Sequence, residues 1–167
     1  CNIIALGQAM VQGQKAEEKT VLVSSDGKYQ MTVPGDWTDE GTALNDEAIL
    51  GAGNRLKEKY VVVIAESKAD FYEDVTIRDY MDVLLEQMEY SVEDMTFTPA
   101  ETVSVGSRSG YLTQIEGAVD GIKITYWLTC VEMEEDFVQI TGWTMQSKAD
   151  EYEEEFREVE TSFQEAE

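Results

Sequence analysis

The alternation of apolar and polar residues is clearest in the second half of the chain, where three strand patterns follow one another. They span residues 111–119, 122–131 and 137–145. Asp120-Gly121 joins the first two, and this dipeptide is typical of two-residue hairpin turns because both turn positions need a positive φ. An acidic turn joins the second pattern to the third. We therefore predict an antiparallel three-stranded meander around which the rest of the chain is organised.

The middle strand of this meander has a period of two, as expected when a strand presents different residues to its two faces. One face is apolar and carries Ile122, Ile124, Tyr126, Leu128 and Cys130. The other face is mixed and carries Lys123, Thr125, Trp127 and Thr129. The pattern predicts that the apolar face is the buried one.

Two helices are predicted from apolar positions that recur every three or four residues. The first covers residues 76–90, and Thr76 with Asp79 forms a capping pattern at its start. The second begins at Ser147 with Asp150. Its apolar stripe is Tyr152, Phe156, Val159 and Phe163, and its acidic remainder is Glu151, Glu153, Glu154, Glu155, Glu158 and Glu160. We expect the acidic side of this helix to face solvent.

Shorter patterns predict further strands. Residues 20–25 and 28–33 flank Asp26-Gly27 and predict another hairpin by the same turn argument. Residues 60–65 form a continuous apolar run, which is typical of a strand covered on both faces. Residues 95–105 are expected to be extended, with an interruption at Pro99. One domain accounts for all of these elements.

Charge and composition remove several classes of function. Lys and Arg number 12 against 35 Asp and Glu, so the net charge is 12 − 35 = −23, which repels nucleic acid. The chain has no histidine, which excludes His-dependent triads and the usual His-ligated zinc sites. We predict no cofactor, no metal site and no catalytic residues.

Acidic residues are dense in the turn that holds Glu132, Glu134, Glu135 and Asp136. A glycosidase needs two carboxylates set apart across a cleft, and a calcium loop needs alternating oxygen ligands around a glycine. The turn has neither pattern. Solvated surface is therefore the preferred interpretation.

The two cysteines differ in context. Cys1 stands where a mature bacterial lipoprotein carries its lipid, which predicts a lipid anchor and an extracytoplasmic location; the alternative is that Cys1 only marks where the chain was cut. Residues 1–19 would then be a tether or a short helix packed on the domain, and residues 20–167 the domain itself. Cys130 lies on the apolar face of a strand and is expected to be a buried free thiol.

Several of these segments resemble the Mog1/PsbP-like superfamily, including its bacterial lipoproteins. The resemblance rests on residues 29–37 (YQMTVPGDW), 60–65 (YVVVIA), 76–80 (TIRDY) and 156–163 (FREVETSF) and covers roughly residues 20–165. It implies an α+β fold in which a mainly antiparallel sheet is sandwiched between helices. Members of the superfamily are mostly non-enzymatic binding or adaptor proteins, so the resemblance implies an unknown protein or small-molecule partner at the cell envelope.

One set of residues is a candidate binding face. With a two-residue turn, Trp127 is expected opposite Gln114, and Thr129 opposite Leu112. The acidic turn would bring Trp143 beside Trp127, and the two indoles with Gln114 and Thr129 would form a platform for sugar or peptide. The alternative is that a helix covers this face and both indoles belong to the core.

These observations leave three functional hypotheses. The first is a non-enzymatic lipoprotein that acts as a binding or adaptor domain at the envelope, held to the membrane through the lipid on Cys1 alone. The second is a hydrolase that uses carboxylates beside Trp127 to cleave saccharide. The third is an acidic protein that binds a basic protein partner, with an affinity that falls as salt rises.

Overall fold

The computed structural model describes residues 18–167, which form strands, two α-helices and two short 3-10 turns. The strands are β1 Lys19–Val23, β2 Tyr29–Pro34, β3 Thr38–Asp39, β4 Leu50–Asn54, β5 Lys59–Ser67, β6 Glu93–Phe97, β7 Glu101–Val105, β8 Arg108–Val119, β9 Ile122–Glu132, β10 Asp136–Met145 and β11 Gln164–Glu165. The helices are α1 Ile77–Met88 and α2 Ala149–Thr161. The 3-10 turns are Lys68–Asp70 and Gln146–Lys148.

The strands form two sheets in which every pairing is antiparallel. The larger sheet has the order β3-β4-β5-β10-β9-β8-β6, and β7 also pairs with β8. The smaller sheet has the order β1-β2-β11. The break between β6 and β7 contains Pro99, where the interruption was predicted. The predicted α+β class with a mainly antiparallel sheet is confirmed.

The central meander is confirmed as β8, β9 and β10. Its first turn has Asp120 at φ 51° and Gly121 at φ 79°, the positive values that a two-residue hairpin turn requires. The pairing of Val119 with Ile122 closes the hairpin directly at this turn. These two positions therefore fix the register between β8 and β9.

The N-terminal hairpin is also present, but its turn differs from the predicted one. Five residues, 24–28, connect the two strands, and only Gly27 of the turn dipeptide has a positive φ, at 75°. The Ser24 hydroxyl donates to Asp26 at 2.6 Å and accepts from the Tyr29 N–H at 3.0 Å. These side-chain bonds replace the two-residue turn that the dipeptide suggested.

The buried core divides into two clusters, each built on one helix. The α1 cluster contains Tyr80, Met81, Leu84, Leu85, Ile115, Leu128, Cys130 and Phe137. The larger α2 cluster includes Trp37, Val61, Val63, Leu112, Trp127, Val131, Ile140, Phe156, Val159 and Phe163. Alternate residues of β9 therefore contribute to different clusters.

The mixed face of β9 is buried as well, as the alternative that a helix covers this face expects. On the mixed face, Thr125, Trp127 and Thr129 are all 0% exposed, whereas Ile122 on the apolar face is 48% exposed. The reason is that α2 lies over the mixed face, where its own side chains replace solvent. Cys130 is buried as expected, and burial raises the pKa of its thiol.

The two helices differ in how well their starts were predicted. The capping box of α1 is confirmed, because the Thr76 hydroxyl accepts from the Asp79 N–H and the Asp79 carboxylate accepts from the Thr76 N–H. The predicted start of α2 at Ser147 is wrong: Ser147 lies in a 3-10 turn and Lys148 precedes the helix without a side-chain cap.

Candidate functional site

Helix α1 covers only part of its sheet face, and a groove remains beside it. The helix packs on β8 and β9, and the neighbouring surface of β5 and β10 is left partly open. The groove has a volume of about 600 Å³. Its floor is formed by Val62, Ile64, Ile124, Tyr126, Thr141 and Trp143, its wall by Leu84, Gln87, Met88 and Ser91, and its rim by Leu44, Asn45 and Glu47.

A row of three aromatic side chains crosses this sheet face, and two of them, Trp143 and Tyr126, line the groove. Trp143 on β10 is paired with Tyr60 on β5 and with Tyr126 on β9, so the three side chains point to the same face. The Trp143 and Tyr60 rings stack with centroids 5.5 Å apart, and the Tyr126 centroid lies 6.5 Å from that of Trp143. Trp143 and Tyr126 are partly exposed and line the groove, so they are available to a ligand.

The polar groups of the groove are mainly amides and hydroxyls. Gln139 on the floor donates through Nε2 to the Tyr80 hydroxyl at 3.1 Å, and that hydroxyl donates to Glu66 at 2.5 Å. Burial and the adjacent Glu66 carboxylate raise the pKa of Tyr80, which keeps its phenol protonated. Because the bond to Tyr80 uses one N–H, the Gln139 amide keeps a second N–H donor and a carbonyl acceptor.

The groove offers little for catalysis or metal binding. Glu47 is the one carboxylate among the described residues that line it, whereas glycoside hydrolysis needs a pair. Within residues 18–167, no cluster of Asp, Glu and Cys side chains is arranged to hold a metal ion. The lining is suited to non-covalent binding of an apolar or aromatic group.

The chain is similar to known proteins in structure, whereas searches by sequence find no match. No family model and no curated protein matches the chain. It is similar to cyanobacterial PsbP (CyanoP) from Synechocystis sp. PCC 6803, with 12% identity and a TM-score of 0.65 over 88% of this chain and 92% of that one. It is also similar to LpqN, which is involved in cell envelope biogenesis of Mycobacterium tuberculosis, with 11% identity and a TM-score of 0.63 over 90% of this chain and 91% of that one.

The chain has the PsbP-like fold. The resemblance predicted from the sequence is thereby confirmed at the level of fold. A protein of unknown function from Pseudomonas aeruginosa is a more distant neighbour, with 10% identity and a TM-score of 0.52 over 87% of this chain and 95% of that one. No helix within residues 18–167 has the length and apolar character needed to cross a membrane.

The PsbP-like domain places the four predicted binding residues differently from the expectation. The pairings of Trp127 with Gln114 and of Thr129 with Leu112 are confirmed. The expected neighbourhood of Trp127 and Trp143 is wrong, because Gly142 is opposite Trp127. A shift of one residue moves a side chain to the other face of a sheet, so the two indoles point in opposite directions.

The face that carries Trp127 and Thr129 is closed by α2. The Trp127 ring stacks on Phe156 with centroids 4.6 Å apart and planes inclined by 18°, and neither side chain is exposed. Thr129 donates to Glu160 at 2.7 Å, also without exposure. The saccharide platform therefore does not form, and the cleft that the hydrolase hypothesis placed beside Trp127 is filled by the helix.

Two carboxyl groups that were expected at the surface are buried. Glu160 of α2 is 0% exposed, and burial raises its pKa well above the usual 4.5, although the bond from Thr129 opposes the shift. Asp136 is 7% exposed and accepts a hydrogen bond from the Tyr29 hydroxyl. The remaining acids of that turn, Glu132, Glu134 and Glu135, are exposed as predicted.

Of the predicted site residues, only Trp143 lies in the groove. Its aromatic neighbours Tyr60 and Tyr126 were not predicted as site residues, because their strand patterns indicated core positions. The alternation along β9 correctly placed Tyr126 on the same face as Leu128, and α1 packs on part of that face. The strand pattern does not indicate how much of that face α1 covers, so the open groove could not be predicted from it.

Proposed function

We propose that this PsbP-like domain is a non-enzymatic binding or adaptor domain that works outside the cytoplasm at the cell envelope, and that it binds its partner in the groove beside α1. The observation that carries the proposal is the pair of aromatic residues Trp143 and Tyr126 on the open floor of a groove of about 600 Å³, with Tyr60 stacked on Trp143 beside it. Ligand sites typically have volumes of about 300 to 1,000 Å³ and a mainly apolar lining with a few polar groups.

A role in binding fits the chemistry of the lining. The side chains of Gln139 and Asn45 can hydrogen bond to a ligand at neutral pH without a change in charge. Tyr126, whose pKa is raised by burial, also stays neutral. Such groups orient a bound molecule, and the single carboxylate of Glu47 lacks the partner that acid–base hydrolysis requires.

The location is proposed from the fold neighbours and the sequence together. LpqN, a similar structure, is involved in cell envelope biogenesis of Mycobacterium tuberculosis. The lipid anchor predicted for Cys1 lies outside the described residues. The same holds for residues 1–17 of the predicted tether. Intact mass of the protein from its native membrane fraction tests this part: acyl chains on Cys1 support the anchor, and an unmodified mass in the soluble fraction rejects it.

The proposal also includes the layering of the domain as an α/β/α sandwich. It is supported by the alternation on β9, where Leu128 and Cys130 pack in the α1 cluster and Trp127 and Val131 pack in the α2 cluster. In that arrangement the α2 layer is structural, and the open part of the α1 layer is the functional surface.

A neutral apolar dye tests the groove. Nile red fluorescence should rise on binding to the wild-type domain, and Thr141→Arg, which places a long charged side chain on the floor, should weaken binding by about tenfold or more. The matched control is Thr96→Arg on the exposed surface of β6, which should bind the dye as the wild type does. Circular dichroism establishes that both variants are folded. Equal dye binding by the folded Thr141→Arg variant would reject the groove as the binding site.

A further inference from the structure

The positive charges of the domain are mostly used by its own carboxylates. Lysine and arginine side chains that form ion pairs are Lys28, Arg55, Lys57, Lys59, Lys68, Arg78, Arg108, Lys148 and Arg157. With a net charge of −23, most carboxylates have no cation to match them. The surface therefore attracts cationic groups over several ångströms and repels anionic ones.

Acidic and electronegative groups also border the groove. Glu47 is on the rim, with Asp46 next to it in the chain. The last turn of α1 contains no basic residue, so the partial negative charge of its carbonyl end is not offset there. Met88 in this turn and Ser91 after it line the groove. Each of these groups favours a cation in the groove.

The aromatic floor favours cations as well. Lysine and arginine bind over the faces of tryptophan and tyrosine because the ring face carries partial negative charge. The domain itself uses this contact elsewhere, since Lys59 Nζ lies 4.0 Å from the centroid of Tyr152. Trp143 and Tyr126 offer partly exposed rings of the same kind in the groove.

The apolar surface continues beyond the groove along β9. Ile124 lines the groove, and Ile122, two residues earlier on the same face, is 48% exposed and lines a second cavity of about 510 Å³ together with Met145. From Leu128 to Ile122 the strand spans about 20 Å at roughly 3.3 Å per residue. This length suits a short polypeptide segment. Lys123 lines the second cavity, so the end near Glu47 is the acidic one.

We propose that the groove takes a short apolar segment of a partner polypeptide that carries lysine or arginine at one end, with the basic end beside Glu47. The inference rests on the proposed function of the groove and adds the chemical class of the partner. The apolar side chains lie over Ile124 and Ile122, and the basic side chains contact Trp143, Tyr126 and the acidic rim.

Three synthetic peptides of equal length test the inference. Each has the apolar sequence Leu-Phe-Val-Leu followed by two residues that are Lys in the first, Gln in the second and Glu in the third, with both termini blocked. At low salt the Lys peptide should bind about tenfold more tightly than the Gln peptide, and the Glu peptide should bind more weakly than both. In 0.5 M NaCl the advantage of the Lys peptide should largely disappear because the charges are screened.

Two charge-matched variants locate the interaction. Glu47→Gln should weaken binding of the Lys peptide by about threefold and leave the Gln peptide unchanged. Glu154→Gln, on the exposed side of α2, removes the same charge elsewhere and should have little effect on either peptide. Thr141→Arg should weaken binding of all the peptides.

The outcomes separate the inference from the proposed function. Equal affinity of the Lys and Gln peptides, or Nile red binding without peptide binding, would overturn the inference and leave the groove as a binding site. Lys-peptide binding that Thr141→Arg does not change would place the interaction on the acidic surface outside the groove and also overturn it. If neither Nile red nor any peptide binds, both the proposed function and the inference are rejected.

Discussion

Trp143 stacks on Tyr60 across the β5–β10 pairing, with ring centroids 5.5 Å apart and planes inclined by 30°. The stack lies on the sheet face that α1 leaves partly open. A large aromatic pair on such a surface keeps apolar area in contact with water that a bound partner would remove. A partner that binds at this part of the sheet therefore gains free energy by removing apolar surface from water.

Replacement of Trp143 tests the aromatic floor. Trp143→Ala should weaken Nile red binding by about tenfold, because it removes the central ring of the row. Trp143→Phe keeps an aromatic ring and should retain most of the affinity. Fluorescence titration gives both values, and an equal loss in the two variants would contradict a specific role for the ring.

Truncation of Phe156 tests whether α2 is part of the core rather than a movable cover of the Trp127 face. Phe156 is fully buried and stacks on Trp127, so Phe156→Ala should lower the free energy of unfolding by about 3 to 5 kcal/mol. Leu56→Ala is the control, since Leu56 is 98% exposed and should change stability little. Urea denaturation gives the comparison. A loss in Phe156→Ala as small as that of the control would mean that α2 does not cover this face.

The buried Glu160 predicts a pH dependence of stability. Because its folded pKa lies well above its ordinary value of 4.5, the folded state holds the protonated form more tightly than the unfolded state does. Its contribution is fully present below about pH 4.5 and is lost as the pH rises through the folded pKa. Between the two pKa values, the loss has a limiting slope of about 1.4 kcal/mol per pH unit.

Glu160→Gln isolates this contribution from the repulsion among the other acids. The amide oxygen can still accept the hydrogen bond from Thr129, and the variant cannot ionise. The difference in unfolding free energy between variant and wild type should favour the variant increasingly from pH 4.5 to pH 8. Parallel pH profiles in chemical denaturation would show that Glu160 has the same pKa in both states.

The sequence predicted the local elements well because their signals are local. The capping pair of Thr76 and Asp79 and the periodicity of residues 76–90 define α1, and Asp120-Gly121 defines the turn between β8 and β9. Each of these signals lies within a few residues of the element that it determines. Tertiary packing did not override them.

The candidate site was harder to predict because it depends on register and on helix placement. The three residues between β9 and β10 set Gly142, not Trp143, opposite Trp127, and that single step moved one indole to each face. Gly142 was an available signal: a Cβ there would lie 2.6 Å from atoms of both Phe156 and Glu160, so a glycine admits the close approach of α2. Glu160 belongs to the acidic stripe of α2, so the sequence pattern did not indicate that its side chain is buried between the helix and β9.

The most direct test of the binding site uses the three tryptophans as reporters in one sample. Trp37 and Trp127 are 5% and 0% exposed in the α2 cluster, whereas Trp143 lies on the groove floor. The indole N–H resonances of ¹⁵N-labelled protein are assigned with single Trp→Phe variants and followed as Nile red is added. A groove site predicts that the Trp143 resonance shifts while those of Trp37 and Trp127 stay in place. A titration in which the dye binds and the Trp143 resonance does not move would contradict it.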